Sequence, residues 1–153
     1  MAYENANIET IARGICLKEG RLLVCQPAKG GRCYLPGGHI EFAETARQAL
    51  EREVKEELGV RSYAGKFLGV SENTFVQQGE QHCEINLYFA LELPTLSCAC
   101  DPTAVEPWIT FRWIPFTVAA LSEANLLPAH LIADLTTHLA HSPVAPFHLE
   151  NHV

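Results

Sequence analysis

Four glutamates and an arginine lie close together between residues 44 and 57, and the glutamates are of a residue type that holds divalent metal ions: Glu44, Arg52, Glu53, Glu56 and Glu57. On a helix with about 100° per residue, Glu53, Glu56 and Glu57 fall within an arc of about 100°. Like charges three and four residues apart destabilise a helix by about 0.2–0.5 kcal/mol per pair, so a cation is the natural compensation. Carboxylate oxygens favour a hard ion such as Mg²⁺, which keeps several waters and needs few protein ligands.

A helix must position these carboxylates. Thr45 or Glu44 is suited to begin it, and Gly59 is suited to end it. Its predicted buried stripe recurs at every fourth residue and consists of Ala46, Leu50, Val54 and Leu58. Because the carboxylates lie beside this stripe, we expect Glu53 and Glu57 to be partly desolvated, which strengthens their interaction with a metal ion and with phosphate.

Two glycines, Gly37 and Gly38, follow Pro36 directly before the predicted helix. Glycine has no Cβ, so the backbone here can adopt unusual dihedral angles and bring a carbonyl oxygen close to a metal ion or a phosphate. We favour this functional interpretation over a plain turn. For His39, which comes next, a capping or core-edge role is favoured over a role in the site.

The segment Gly38–Val60 resembles the signature of the Nudix hydrolases, G-x5-E-x7-R-E-U-x-E-E-x-G-U, in which U is aliphatic. Every specified position is filled. The resemblance implies an α/β fold, a Nudix-type α/β/α sandwich with a mixed sheet, in which the signature forms a loop, a helix and a loop. It also implies metal-dependent hydrolysis of a nucleoside diphosphate linked to another moiety, by attack of water on phosphorus.

The resemblance also implies residue roles. By position in the signature, Glu53, Glu56 and Glu57 resemble the family's metal ligands, and the carbonyl of Gly37 adds a backbone oxygen. The implied ion is Mg²⁺, with Mn²⁺ as the alternative. Arg52 is expected to pair with a neighbouring glutamate and hold its rotamer. Glu44 is expected to support the ligands from outside or to be structural.

The general base differs among members of this family. It is a signature glutamate in some and a glutamate from a later loop in others. Glu53 is our first choice. Glu106 is the second, because it precedes the predicted strand Ile109–Ile114 in a loop that can fold over the site. An exposed loop glutamate is, however, more often only solvated.

The resemblance leaves the substrate open. No coenzyme-A-type motif precedes the signature, the proline that marks many ADP-ribose hydrolases is missing at Thr74, and Phe75 stands near the place of a tyrosine that marks many dinucleoside polyphosphate hydrolases. A nucleoside triphosphate pyrophosphohydrolase is therefore favoured. The alternatives are an ADP-ribose or other nucleotide-sugar pyrophosphatase and a nucleotide-binding module without turnover. Aromatic residues in predicted strands are more often core than base-binding, and these are Phe75, Tyr88, Phe111 and Trp113.

The whole chain has 153 residues, 48% of them hydrophobic, which suits one domain over residues 1–153. A net charge of −7 argues against nucleic acid as a partner, because a phosphate backbone requires a basic face. A small nucleotide remains compatible, since a metal ion can bring phosphate to an acidic site. Neither a signal peptide nor a long apolar run is evident, so we expect a cytoplasmic protein without a membrane partner. A homodimer is left open.

The remaining pattern predicts two hairpins, at 8–26 and 63–93, followed by a loop at 95–107. A further strand at 109–114, a helical turn at 116–121, a helix at 128–139 and an extended or disordered tail at 141–153 complete the prediction. Most of the six cysteines are expected to be small buried hydrophobic residues. The C-x-C at Cys98 and Cys100 lacks a zinc-ligand pattern.

Overall fold

A computed structural model describes residues 7–140 and 146–151 of the chain. In order, the elements are β1 (Asn7–Ile15), β2 (Leu17–Lys18), β3 (Arg21–Pro27), β4 (Gly37–His39), α1 (Ala46–Leu58), β5 (Tyr63–Gln77), β6 (Glu80–Glu92), β7 (Ile109–Pro115), α2 (Val118–Glu123), α3 (Leu131–Ala140) and β8 (Phe147–Asn151). None of the helices in these two ranges is long and apolar enough to cross a membrane.

The strands form two sheets. The larger has the order β4-β1-β6-β5-β8, and the smaller has the order β2-β3-β7. In the larger sheet β1 runs parallel to β6 and β5 runs parallel to β8, whereas the β1–β4 and β5–β6 pairs are antiparallel. The sheet is therefore mixed, as predicted.

Helices cover both sides of the sheets and close a core on each side. Alternate residues of β3 point to opposite sides, so the strand contributes to both cores. Leu23 packs in one core with Leu50 and Val54 of α1. Leu22 packs in the other core with Leu121 of α2 and Leu135 of α3. This arrangement confirms the predicted α/β/α sandwich.

The first predicted hairpin was wrong in its extent. Only β2 pairs with β3, in the register Leu17↔Leu22 and Lys18↔Arg21, around a turn in which Glu19 and Gly20 have positive φ. β1 belongs instead to the other sheet, where β4 and β6 lie on its two sides. A central strand with two neighbours has no edge left for β3, and this non-local pairing could not be inferred from the short turn.

The other elements agree more closely with the prediction. β5 and β6 form the second hairpin, and the segment before Trp108 is a loop. The last helix begins at Leu131 rather than at Pro128, because residues 128–131 form a turn in which Leu131 N donates to Pro128 O. In the predicted tail, Phe147–Asn151 is extended as strand β8, whereas residues 141–145 and 152–153 lie outside the described residues.

The cysteines within the described ranges are all free thiols. Four of them are buried, as predicted for most, and these are Cys16, Cys25, Cys33 and Cys98. Cys83 is half-buried and Cys100 is exposed.

Candidate active site

The loop before α1 owes its shape to two glycines. Gly37 has a φ of 137°, and a Cβ there would lie 1.9 Å from the carbonyl oxygen of Ala12 on β1. A Cβ on Gly38 would lie 2.4 Å from Cδ of Glu53. Larger side chains are therefore excluded at both positions, and their absence lets β4 lie against β1 and lets the Glu53 carboxylate lie directly over the backbone.

Helix α1 is capped at both ends. Thr45 is the N-cap and forms a capping box with Gln48, while Gly59 is the C-cap with a φ of 69°. The backbone N–H of Val105 donates to the carbonyl oxygen of Glu57 at 2.7 Å. This last bond satisfies a helix-end carbonyl and ties the loop before β7 to the end of α1 that carries the carboxylates.

Arg52 is the centre of an ion-pair network on α1. It donates to both carboxylate oxygens of Glu44, from Nε at 3.1 Å and from Nη2 at 2.7 Å. Nη1 donates to Glu53 at 2.9 Å and to Glu56 at 3.4 Å, and Nη2 also donates to the carbonyl oxygen of His39 at 3.1 Å. These five bonds match the five N–H donors of a guanidinium group, so Arg52 fixes its neighbours and has no donor left for another ligand.

Glu57 lies one turn beyond Glu53 and is not reached by Arg52. Its Oε2 is buried and has no hydrogen-bond partner within the described part of the structure. Burial, together with the charges of Glu53, Glu56 and Glu106, raises the pKa of Glu57 to about 7, while the charge of Arg13 acts in the opposite direction. A buried carboxylate oxygen without a donor is costly, so this position is completed only by a proton or a cation.

Glu44, at the other end of the network, has the opposite character. Its side chain accepts two hydrogen bonds from Arg52 and one from the backbone N–H of Glu41 at 2.8 Å. The Arg52 hydrogen bonds, followed by the Glu41 backbone bond, lower the pKa of Glu44. Glu44 is therefore held as a paired carboxylate that supports Arg52 from outside the cluster.

Glu106 lies on the loop between β6 and β7. This loop is held by the Val105–Glu57 bond and by a second bond in which Ala28 N donates to Trp108 O at 2.7 Å. Glu106 is near enough to Glu57 for its charge to raise the Glu57 pKa. The structure thus brings both candidate bases, Glu53 and Glu106, to the same carboxylate.

Arg13 on β1 is a site residue that the sequence analysis missed. Its Nη1 donates to the Leu35 carbonyl oxygen at 3.1 Å, and its Nε donates to Oδ1 of buried Asn86 at 3.3 Å. Asn86 in turn donates to Glu84 at 3.3 Å. Its sequence signal was a charged residue between Ile11 and Ile15, both buried here, in the apolar half of the strand. The positive charge of Arg13 also acts on Glu57.

Other predicted candidates lie in the core or at the surface. Tyr88, Phe111 and Trp113 are at most 5% exposed and pack in the two cores, and Phe75 stacks on His82 with ring centroids 5.1 Å apart. The His39 side chain is exposed, with Nε2 3.7 Å from a Glu9 oxygen, so that only its backbone carbonyl joins the Arg52 network.

Comparisons with known proteins identify relatives over part of the chain. The chain is 38% identical over 65 residues to the CTP pyrophosphohydrolase of Escherichia coli strain K12, a match that covers 40% of this chain and 47% of that protein. It is 40% identical over 62 residues to the ADP-ribose pyrophosphatase of Methanocaldococcus jannaschii, which covers 37% of this chain and 36% of that protein. The chain thus spans less than half the length of the curated relatives it matches.

A solved structure with a similar fold is a NUDIX hydrolase from Nitrosomonas europaea, with a TM-score of 0.64 and 16% identity over 90% of this chain and 92% of that chain. The NUDIX domain family matches residues 9–135, a range that contains the signature, both candidate bases and Arg13. On the strength of that match over most of its length, the chain belongs to the Nudix family.

Proposed function

We propose that this protein is a metal-dependent pyrophosphohydrolase that acts on nucleoside triphosphates. The observation that carries the proposal is the buried, unpartnered Oε2 of Glu57, which lies beside three other carboxylates in a Nudix signature. A purely structural carboxylate cluster would be paired internally, as Glu44 is with Arg52. The Glu57 end of the cluster has instead the donor set that a hard cation requires.

The residues present fit Mg²⁺, and Mn²⁺ is the alternative. We assign Glu53, Glu56 and Glu57 as its carboxylate ligands, with the Gly37 carbonyl as a backbone ligand. Glu56 is 54% exposed, which leaves room for the waters that Mg²⁺ retains, while Glu57 supplies a desolvated oxygen. When bound, the ion neutralises phosphate charge and lowers the pKa of a bound water.

The side chains have separate roles in the proposed reaction. Glu53 accepts a proton from water as the water oxygen forms a bond to the α-phosphorus, and the bond from that phosphorus to the bridging oxygen breaks. A nucleoside monophosphate and pyrophosphate leave. Arg52 holds Glu53 and Glu56 in place through the bonds at 2.9 and 3.4 Å. Arg13, whose positive charge acts on Glu57, is assigned to hold a substrate phosphate.

The preference for nucleoside triphosphates is supported by the absence of the ADP-ribose marker at Thr74 and of the dinucleoside polyphosphate marker near Phe75. An ADP-ribose or other nucleotide-sugar pyrophosphatase is the second candidate, because a relative of that name matches at 40% identity. A nucleotide-binding module without turnover is the third candidate. Modules of that kind typically lose signature glutamates, and this chain has them all.

A substrate panel tests the proposal. The full chain is incubated with nucleoside triphosphates, ADP-ribose, dinucleoside polyphosphates and sugar nucleotides, in Mg²⁺, in Mn²⁺ and in EDTA, and released pyrophosphate and phosphate are measured. We expect nucleoside triphosphates to give the highest kcat/KM, pyrophosphate as the product and no turnover in EDTA. A higher kcat/KM for ADP-ribose would favour the ADP-ribose or nucleotide-sugar pyrophosphatase over the nucleoside triphosphate pyrophosphohydrolase. Nucleotide binding without turnover in either metal would favour the third candidate, a nucleotide-binding module, over an enzyme.

A further inference from the structure

Three potential metal ligands lie together on strands β5 and β8, away from the Nudix signature. Glu72 on β5 is the register partner of Glu150 on β8, and His148 lies two residues before Glu150 on the same face of its strand. One ligand atom from each side chain lies within 4.8 Å of the others. The sheet register thus places a nitrogen and two carboxylates at one point of the surface.

The distances within this group suit a tetrahedral ion. Nε2 of His148 is 3.0 Å from Oε2 of Glu72 and 3.6 Å from Oε1 of Glu150. Ligands at about 2.0–2.2 Å from a tetrahedral Zn²⁺ are separated by about 3.4 Å from one another, which follows from that geometry. Small rotations of exposed side chains, which are 41–53% exposed, are enough to reach this arrangement.

The charge of the group also favours a dication. Two glutamates directly opposite each other on neighbouring strands repel, and such like-charge pairs destabilise a sheet. Glu72 and Glu150 are a pair of this kind. Protonated His148 can compensate one negative charge, whereas a divalent ion compensates both.

Strand β8 is held in place independently of these side chains, so the group is preorganised. Phe147 is 9% exposed and packs over Gly69, where a Cβ would lie 2.4 Å from the ring. The same ring lies 5.4 Å from that of Tyr88 and 5.2 Å from that of His138. The apolar anchor at Phe147 fixes the register in which His148 and Glu150 meet Glu72.

We propose that Glu72, His148 and Glu150 bind a divalent transition-metal ion of the Zn²⁺ type, which joins the C-terminal strand β8 to β5. The imidazole nitrogen selects this class of ion over Mg²⁺, which favours oxygen ligands. The fourth position is open to water. β8 and β4 are at opposite edges of the five-stranded sheet, and four strand spacings of about 4.8 Å place them about 19 Å apart. The ion is therefore remote from the β4 end of the Nudix signature, and its proposed role is structural.

Imidazole NMR tests the proposal directly. Long-range ¹H–¹⁵N spectra of the full chain are recorded during a Zn²⁺ titration in excess Mg²⁺, which occupies the oxygen-rich cluster. The chain carries Cys100→Ser, because Cys100 is an exposed thiol that could compete for zinc. We expect the His148 resonances, identified from their loss in His148→Gln, to shift and saturate at one equivalent of Zn²⁺. Unchanged His148 resonances in excess Zn²⁺ would overturn the proposal.

A matched histidine variant supplies the control. His82 is half-buried on β6 of the same sheet and stacks on Phe75. We expect His148→Gln and Glu150→Gln each to weaken zinc binding at least about tenfold and to remove the rise in melting temperature that Zn²⁺ causes, while His82→Gln retains both. An equal Zn²⁺-induced rise in His148→Gln would contradict the assignment. Mg²⁺-supported turnover should be unchanged in His148→Gln, which separates this test from that of the catalytic site.

Discussion

The two ends of the carboxylate cluster in the segment from Glu44 to Glu57 differ in how their charge is compensated. At the outer end both oxygens of Glu44 accept hydrogen bonds from Arg52, and the pKa of Glu44 is lowered. At the inner end Glu57 has a buried oxygen without a partner, and its pKa is raised to about 7. Two glutamates of one short segment thus have opposite electrostatic environments.

This difference follows from the reach of a single guanidinium group. The five donors of Arg52 are all engaged with Glu44, Glu53, Glu56 and the backbone of His39. The outer carboxylates are thus held by a cation of the protein itself, whereas the proposed partner of the innermost one is a cation from solution. Supporting residues such as Glu44 thus differ from proposed ligands such as Glu57, and three experiments test this difference.

The largest effect is expected for Glu57→Gln. The substitution keeps the shape of the side chain but removes the ligand charge, so we expect turnover with Mg²⁺ to fall about a hundredfold or more. Steady-state kinetics on the best substrate of the panel measure it. Glu51→Gln is the matched control, since Glu51 is on the same helix and accepts a hydrogen bond from Ala64 N through an oxygen that glutamine retains. Turnover of Glu57→Gln within threefold of the unmodified chain would remove Glu57 from the ligand set.

The next experiment compares the two candidate bases. Glu53 is on the helix and bonded to Arg52, whereas Glu106 is on the loop tied to the helix end. If Glu53 removes the proton from water, Glu53→Gln loses activity that higher pH restores only in part, and Glu106→Gln stays within about tenfold of the unmodified chain. The pH dependence of kcat/KM for both variants measures this. The reverse ranking would transfer the role to Glu106.

The sequence predicted the local parts of this site well. The spacing of Leu50, Val54 and Leu58, together with Thr45 and Gly59 at the ends, was enough to place α1, because helix periodicity and capping are local properties. The resemblance to the Nudix signature supplied the candidate ligands. Neither source could specify the partners of Arg52, since these depend on side-chain rotamers and on the loop that brings in the His39 carbonyl.

Long-range contacts account for what the sequence did not predict. Arg13 acts on Glu57 from β1, which pairs with β4 on one side and with β6 on the other, where Asn86 accepts a hydrogen bond from Arg13 Nε. The first hairpin was mistaken for the same reason. Pairing between strands that are distant in the sequence has no local signal, and the charge of Arg13 between Ile11 and Ile15 was the one indication available.

The smallest effect is expected in the stability of the metal-free protein. The pKa of Glu57 is about 7 in the folded state, against an ordinary value of 4.5 for an unfolded chain. Between these two values the folded state binds more protons than the unfolded state, so the contribution of Glu57 to the free energy of unfolding falls as pH rises from 4.5 to 7. The loss is on the order of 3–4 kcal/mol, at about 1.4 kcal/mol per pKa unit.

Glu57→Gln removes this titration. In EDTA we expect the variant to melt several degrees above the unmodified chain at pH 8 and to converge with it near pH 5, because glutamine has no charge to desolvate. Saturating Mg²⁺ should reverse the order at pH 8, since the ion stabilises the chain that retains its ligand. Thermal melts of Glu57→Gln, Glu51→Gln and the unmodified chain, with and without Mg²⁺, measure both effects. Melting curves of Glu57→Gln that follow the unmodified chain at every pH in EDTA would mean that Glu57 is already compensated from within the protein, as Glu44 is.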